Sequence, residues 1–378
     1  MSEIDLGTSE SRNHKGSKLL KVVMAALIVA VLFASSLSLI SNQFSENTST
    51  SIPARTAYTS HANISINGNA QFTNASGVVW GSGIVTDPYI ISRWDVSAAA
   101  ADGIRIQNTN AYFIVTDCYI HGGGGSYTGI RPINCVNGVF DNNTCSNNWM
   151  GIMLESSSSD TVSNNTCSNN QIGIFLGSSS SDTVSNNTCS SNSIYGIYLS
   201  TSSSNTISNN TCTGSSFGIC LASTSNSNTL SNNNFSKNNR GVAMSLSSNN
   251  IIFCNEVCNN SLRGVQIDSG SNNRIWYNTF IGNNGGGVQA YDAGTNNRWN
   301  TSGTPHGYGN YWDDLTTPDL NFDGIVDWSY NLTGAAGAKD WYPLTTSFPP
   351  IPEFSEIIIP IVGLMLIALI FGRTRKKP

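Results

Sequence analysis

The sequence predicts an all-β chain folded as a right-handed parallel β-helix of about 9–10 coils, each 22–23 residues long, with hydrophobic helices at both termini. Three observations carry that expectation. A Gly-Ile or Gly-Val step recurs at Gly103, Gly129, Gly151, Gly173, Gly196, Gly218, Gly241, Gly264 and Gly287, at intervals of 26, 22, 22, 23, 22, 23, 23 and 23 residues. A fixed period in this range marks units that bury their apolar faces only by stacking on their neighbours. The apolar positions within each unit keep register, and Ser/Asn/Gly tracts separate them with no stretch of helical period, which excludes βαβ units.

Each coil opens on the glycine step. Ile152, Ile174, Ile197, Ile219, Val242, Val265 and Val288 follow it, and Leu154, Leu176, Leu199, Leu221, Met244, Ile267 and Ala290 come two residues later. That is the period-2 spacing of a strand with one buried face. A second inward column falls at Val162, Val184, Ile207, Leu230, Phe253 and Ile275, and a third at Cys145, Cys167, Cys189, Cys212, Phe235, Cys258 and Phe280. Stacked at a strand spacing of about 4.8 Å, such coils make a rod roughly 45 Å long whose interior is filled by side chains.

Two residues before the third column stand Asn143, Asn165, Asn187, Asn210 and Asn233. Pointing inward at a turn, each amide can bond those above and below it, so an asparagine ladder is expected. Of the nine cysteines, Cys145, Cys167, Cys189 and Cys212 suit small buried hydrophobes. Parallel in-register Cβ vectors are poorly aimed for a disulfide dihedral. Cys118 with Cys135, and Cys254 with Cys258, are better disulfide candidates, and neither pair has zinc-site spacing.

Residues 1–40 form a basic n-region and a signal peptide or signal anchor, with Lys15, Lys18 and Lys21 ahead of the apolar run from Val22 to Phe33. Residues 41–56 are a linker, 57–302 the β-helix and 303–345 a C-terminal cap. A Pro-rich stalk at 346–356 leads to an apolar segment and basic tail at 357–378. Basic residues flank both apolar segments, which places the chain between them outside the cell, held to the membrane by its ends. Pro352-Glu353-Phe354 before the second segment resembles the Pro-Glu-Phe class of archaeal sorting signals. That resemblance implies processing by a membrane sortase.

Composition fits surface display. Charged residues are 11%, against about 25% in an average domain, and the net charge of −5 is too small and dispersed to suggest a nucleic-acid partner. Sequons occur at Asn47, Asn63, Asn74, Asn142, Asn164, Asn186, Asn209, Asn234, Asn259, Asn300 and Asn331. At Asn142, Asn164, Asn186 and Asn209 the acceptor immediately precedes a ladder asparagine, so alternation turns it outward. Glycans on these sites are expected to form a stripe along one edge, and Asn234 and Asn259 are further expected glycosylation sites.

Coils of this length with Gly-Ile strands and Asn-Asn turns resemble the right-handed β-helix repeats of the NosD-like and carbohydrate-binding/sugar-hydrolase group. The opening Ile66-Asn67-Gly68-Asn69, Gly77-Val78-Val79-Trp80, Asp87-Pro88-Tyr89-Ile90-Ile91 and Tyr112-Phe113-Ile114-Val115 are similar to the N-terminal coils of exported archaeal members. Gly309-Asn310-Tyr311-Trp312 and Trp341-Tyr342-Pro343-Leu344 resemble their cap, so the likeness covers residues 60–345. It implies a copper-site maturation factor, a polysaccharide lyase, hydrolase or epimerase, or a binding protein, and the choice rests on the site.

Copper is poorly supported, because the histidines are His14, His61, His121 and His306 and no Met/His/Cys cluster reaches soft-ligand density. Sugar cleavage needs carboxylates, or a base and a cation, converging on one groove. Glu155 and Asp268 stand five rungs apart, roughly 24 Å, and cannot cooperate. His121, Arg131 and Glu155, near Asp117 and Asp141, are the residual catalytic candidates; the alternative is a solvated polar face. Phe175 and Tyr198 lie on successive outward rungs, with Gln266 and Gln289 further along. Aromatic faces beside amides suit sugar rings, though exposed aromatics also protect strands or meet other proteins.

Asp319-x-Asn321-x-Asp323-Gly324-x-x-Asp327 resembles a calcium loop, with Ile325 offering its carbonyl. Tyr330 stands where a bidentate Glu is usual, leaving Asp313 or Asp314 to complete the shell; the alternative is an acidic surface turn. The reading is a cell-surface β-helix glycoprotein that binds polysaccharide or forms part of the envelope, with Ca2+ as its cofactor. A β-helix lyase or hydrolase and a copper-handling factor are the alternatives.

Overall fold

The computed structural model describes residues 58–301, 307–334 and 337–347. Both terminal apolar segments, the linker, the Pro-Glu-Phe motif, His14 and His306 lie outside them. Among the described residues, no helix is long and apolar enough to cross a membrane.

The chain winds into a parallel β-solenoid of three sheets, eleven, ten and ten strands deep among the described residues. Each repeat contributes one long strand and two short ones, as in Ile172–Gly177, Thr183–Ser185 and Thr188–Ser190. Register follows the sequence columns: Ile152, Ile174, Ile197, Ile219, Val242 and Val265 pair in succession along the long-strand sheet. All six are fully buried. The second sheet stacks Val162, Val184 and Ile207, and the third stacks Cys145, Cys167, Cys189 and Cys212 before Phe235.

Corners between the second and third sheets use left-handed residues, with φ of 51° at Asn142, 56° at Asn164 and 57° at Asn186. Asparagine tolerates this region because its short polar side chain bonds locally. The repeated glycine has a different cause. A Cβ on Gly196 would lie 2.5 Å from the carbonyl oxygen of Gly218 and 2.8 Å from Cys212 Cβ. Successive rungs approach so closely there that only hydrogen fits.

The expected asparagine ladder is present and runs further, through Asn255 and Asn278 to Asn310. Asn165 is typical: its Oδ1 accepts from Asn143 N at 2.9 Å and Asn143 Nδ2 at 3.0 Å, and its own Nδ2 donates to Asn187 Oδ1 at 3.0 Å. A second amide column contains Asn148, Asn170 and Asn192, and Asn238, Asn260 and Asn283 continue it beyond Ser215. A third polar column starts from Asp160 and Asp182 and continues through Asn205, Asn228, Asn250 and Asn273 to Asn297. Thus each corner of the solenoid satisfies its buried backbone with a side-chain column.

Three register expectations need correction. Ile252, not Phe253, pairs with Leu230 and Ile275 inside the second sheet, and Phe253 turns out to stack on Trp276 at 5.7 Å. Val257, not Cys258, pairs with Phe280. Ile251-Ile252-Phe253 and Val257-Cys258 are apolar throughout, so alternation alone left their phase open. In the last coil Val265 pairs with Ala290, not Val288, because the 3-10 turn Asn283–Gly286 takes up two further residues.

All nine cysteines are free thiols. Cys118 and Cys135 occupy different corners, where their backbone N–H groups donate to Asn143 Oδ1 and Ser157 Oγ. Cys254 takes a left-handed corner position, whereas Cys258 lies on the third sheet beside Glu256. Neither expected disulfide forms. Aromatic rings close the C-terminal end of the core, Phe280 on Trp312 at 4.2 Å and Trp312 on Tyr330 at 4.0 Å.

Candidate functional site: the outer face of the long-strand sheet

The Gly-Ile strands present two outward columns. One runs Met153, Phe175, Tyr198, Cys220, Ala243, Gln266 and Tyr291; beside it runs Met150, Ile172, Tyr195, Phe217, Arg240 and Arg263. Met150, Met153 and Ile172 form an apolar cluster against Trp149, Phe175, Tyr195 and Tyr198. Its rings stack in sequence, Phe175 on Tyr198 at 5.2 Å, Tyr198 on Tyr195 at 4.5 Å and Tyr195 on Phe217 at 5.0 Å. The predicted pair Phe175 and Tyr198 therefore belongs to a longer strip.

Polar groups bound the strip at both ends. At one, Arg240 lies over the Phe217 ring at 5.2 Å and donates from Nε to Gln266 Oε1 at 2.6 Å, while Gln266 Nε2 donates to Asp268 at 2.7 Å. At the other, Arg131 meets Glu155 at 2.9 Å and Asp102 at 3.2 Å. Burial works against the charge of Arg131, but Glu155 and then Asp102 outweigh it and hold the guanidinium above its ordinary value. Burial also raises the Tyr195 phenol, with Cys220 and Tyr198 adding to the effect.

Arg131 and Glu155 come together as the sequence suggested. His121 does not join them: it sits on the third sheet, 3.0 Å from Asp95 and stacked on Tyr119 at 4.7 Å. The three catalytic candidates form no single centre. Gln289 is also corrected. It is 1% exposed, its Oε1 accepts from Asn283 Nδ2 at 2.8 Å, and its Nε2 donates to Asp313 and Asp314 at 2.7 Å each. The two-residue slip in the last coil puts Tyr291, not Gln289, beside Gln266.

The column Met150, Ile172, Tyr195 and Phe217 was missed, although it was legible as the large residue immediately before each repeat glycine. Strict alternation from Ile152 would turn Met150 inward, but Gly151 itself faces the core against Cys167, as Gly196 does against Cys212, which leaves the residue before each glycine outward.

In the Asp319–Asp327 loop, Asp319 Oδ1 accepts from Phe322 N at 2.7 Å and Asp319 Oδ2 from Gly324 N at 2.9 Å. Asn321 Oδ1 accepts from Asp323 N, Asp323 Oδ1 from Ile325 N, and Asp327 from Leu320 N. Gly324 has φ of 87°, the left-handed geometry of a tight loop. Asp313 and Asp314 do not complete this loop's shell, since they face Gln289 and Tyr330; Tyr330 OH donates to Asp314 at 2.9 Å.

The sequon acceptors fall into separate places. Asn142, Asn164 and Asn186 are exposed on one corner, with Asn209 half-buried in the same column. Asn234 lies on the third sheet and Asn259 at a left-handed turn beyond it, away from that column.

A family model described as periplasmic copper-binding protein (NosD) matches residues 80–263 and 220–317. No curated protein matches. Among solved structures, the chain is similar to the Dettilon tailspike protein, at 14% identity and a TM-score of 0.39, over 55% of this chain and 58% of that one. Tailspike protein 2 from Escherichia coli O157:H7 bacteriophage CAB120 is 12% identical with a TM-score of 0.48, over 64% of this chain and 37% of its own. The A-module of a mannuronan C-5 epimerase from Azotobacter vinelandii is 12% identical with a TM-score of 0.42, over 64% and 87%. The chain thus spans less than two thirds of either tailspike, and at these scores the likenesses decide neither ligand nor reaction.

The described donor atoms do not assemble a copper site. His61 Nδ1 lies 2.6 Å from the Ala62 carbonyl and its ring rests on Trp94, His121 is held by Asp95, and Cys145, Cys167, Cys189 and Cys212 are fully buried core side chains. No group of three His, Cys, Asp or Glu side chains among the described residues is arranged to hold a metal. Soft-metal binding needs such convergence.

Proposed function

The chain belongs to the NosD family, and from that premise we propose that it is an extracellular polysaccharide-binding β-helix protein of the cell envelope. The observation that carries this reading is the strip of stacked rings from Phe175 to Phe217, bounded by Arg131–Glu155 and Arg240–Gln266. Aromatic faces take the apolar faces of sugar rings, while amides and guanidinium groups meet their hydroxyls. The rings span two rung spacings, about 10 Å, and the outward column that continues them from Met153 to Gln266 spans five, about 24 Å at strand separation, a length suited to an extended polymer rather than a small molecule. No three carboxylates of the Asp319–Asp327 loop converge as it stands, so Ca2+ would bind it by drawing those side chains from the backbone amides they accept from, stiffening the cap; the exposed acceptors Asn142, Asn164 and Asn186 carry glycans.

Binding without cleavage is favoured because the Arg131 cation is shared between two carboxylates and His121 stands on another sheet. The test is a glycan-array screen of the exported protein, with product analysis of every bound polysaccharide. Phe175→Ala with Tyr198→Ala is expected to weaken retention about ten-fold or more, from stacking energies of about 0.5–1.5 kcal/mol per ring pair. Retention equal to wild type on every bound glycan removes the strip as the site, and appearance of shortened products replaces binding by catalysis.

A further inference from the structure

The corner between the long-strand sheet and the second sheet is turned by a column of five amides and two acids. At the amide rungs both side-chain functions are used. Asn228 Oδ1 accepts from Asn205 N at 2.9 Å and from Asn205 Nδ2 at 3.0 Å, and Asn228 Nδ2 donates to the Ser202 carbonyl at 3.0 Å. Asn273 Nδ2 likewise donates to Asn297 Oδ1 at 3.1 Å and to the Ser247 carbonyl at 3.0 Å.

Asp160 and Asp182 keep only the acceptor half of this pattern. Asp160 Oδ1 accepts from Gly138 N at 2.7 Å, and Asp182 Oδ1 from Asp160 N at 2.9 Å. Each residue is 1% exposed, and Oδ2 of each, the atom in place of the ladder N–H2 group, is buried without a hydrogen-bond partner. At the Asn205 rung the group in that place donates to the Ser179 carbonyl and Asn228 Oδ1, so by the column's repeat an ionised Oδ2 would be an acceptor among acceptors. A protonated one supplies the donor that the amides supply elsewhere in the column.

We propose that the folded solenoid holds Asp160 and Asp182 as neutral carboxylic acids whose Oδ2–H replaces the ladder amide, so that their ionisation loosens the turns between Gly138 and Asn205 as pH rises. Among the described residues, no cation acts on the pair. The titratable groups acting on the pair are each other and the Cys135 thiol. The charged groups on adjoining strands face outward to other partners, Glu155 to Arg131 and Asp141 to Ser163 and Asn164. Burial first, and the neighbouring Asp182 second, push Asp160 up to about 8 against the offset of the Gly138 N–H; burial pushes Asp182 up to about 7 against the Asp160 N–H.

The folded values lie above the unfolded value of 3.8, so the folded state binds more protons between them. Stability is therefore greatest below that value, falls as pH rises towards about 7 and 8, and then levels. Within that window each acid multiplies the unfolding equilibrium constant by up to about ten-fold per pH unit.

The experiment compares wild type with the double variant Asp160→Asn, Asp182→Asn by urea unfolding from acid to mildly alkaline pH, together with amide exchange at Gly138 and Asp160. The column accepts asparagine at five other rungs, so the variant is expected to fold, to lose the added pH slope and to protect those amides better at high pH. Parallel pH curves for the two proteins overturn the proposal. Infrared difference spectra give an independent reading: wild type should carry a protonated-carboxyl band at neutral pH that the double variant lacks, and its absence overturns the assignment. Asn205→Asp should add a third titrating rung and steepen the slope; an unchanged slope counts against the mechanism.

Discussion

Asp340 ends the amide ladder that Asn310 carries to it: its Oδ2 accepts from Asn310 N at 2.7 Å and from Asn310 Nδ2 at 3.1 Å. The same oxygen accepts from Trp312 Nε1 at 3.0 Å, and Oδ1 accepts from Tyr342 N at 3.2 Å. A ladder in which every amide donates to the next rung must finish on an acceptor that needs no donor of its own, and a carboxylate supplies it. Burial pushes Asp340 up to about 6, less than Asp160 reaches, because Trp312, Asn310 and Tyr342 all donate to it.

Replacing that acceptor should therefore cost stability at the cap. Asp340→Ala strands the indole N–H and the two Asn310 donors in a buried site, and a loss of about 2–4 kcal/mol is expected from unsatisfied buried groups. Asp340→Asn keeps the volume but sets an N–H2 group among donors, so it should cost less than alanine and more than nothing. Equilibrium unfolding decides; a change within about 0.5 kcal/mol for alanine, the range of ordinary surface substitutions, would mean that the ladder's end is not structurally required.

The glycine column makes a sharper packing prediction. Gly196→Ala drives a methyl group into the Gly218 carbonyl and Cys212. Overpacking of this kind costs about 1–3 kcal/mol, with the backbone unable to yield as a flexible side chain would. Gly125→Ala, where an added Cβ meets nothing within 4 Å, is the matched control and should leave the unfolding midpoint unchanged. Equal effects of the two substitutions would refute the close-approach account of the repeat.

Gln266 and Gln289 test the corrected register. Gln289→Ala removes the buried acceptor of Asn283 and the link to Asp313 and Asp314, and should lower stability by about 1–3 kcal/mol while leaving glycan retention intact. Gln266→Ala should do the reverse, weakening retention through Arg240 with little effect on unfolding. Reversed outcomes would restore the in-register pairing of Val265 with Val288.

The contrast between those residues marks what was legible. Columns such as Ile152 to Val265 follow from period alone, because a glycine step every 22–23 residues leaves one phase for the strand. The Asn143 to Asn233 ladder was equally plain, since an inward polar residue at a turn requires a partner on the next rung. Phase was lost where neighbours are all apolar, at Ile252-Phe253 and Val257-Cys258, and where Asn283–Gly286 lengthens a coil. For the site, Arg131 and Glu155 are near in sequence period and met. His121 is as near in the chain but falls on a different sheet, a distinction that depends on where each corner turns.

Calcium gives the last prediction. Asp319, Asn321, Asp323 and Asp327 do not converge on one point but turn their oxygens to the amides of Leu320, Phe322, Asp323, Gly324 and Ile325, so a cation would have to draw them from those bonds. Three carboxylates in one loop repel one another, and a hard divalent cation that gathers them relieves that repulsion. Without a bidentate Glu, and with Asp313 and Asp314 committed to Gln289 and Tyr330, the shell has fewer charged ligands, so affinity belongs at the weak end of the range for such loops, about 10⁻⁴–10⁻³ M. Millimolar Ca2+ should raise the melting temperature and chelation should lower it. Asp323→Asn should weaken that response, and Asp323→Ala with Asp327→Ala should abolish it. The cap pairs Ile325 with Leu344 and Tyr311 with Leu344, so stiffening the loop acts on the strand that closes the third sheet. A melting curve indifferent to both calcium and chelator would make the segment an acidic turn held by its own backbone amides.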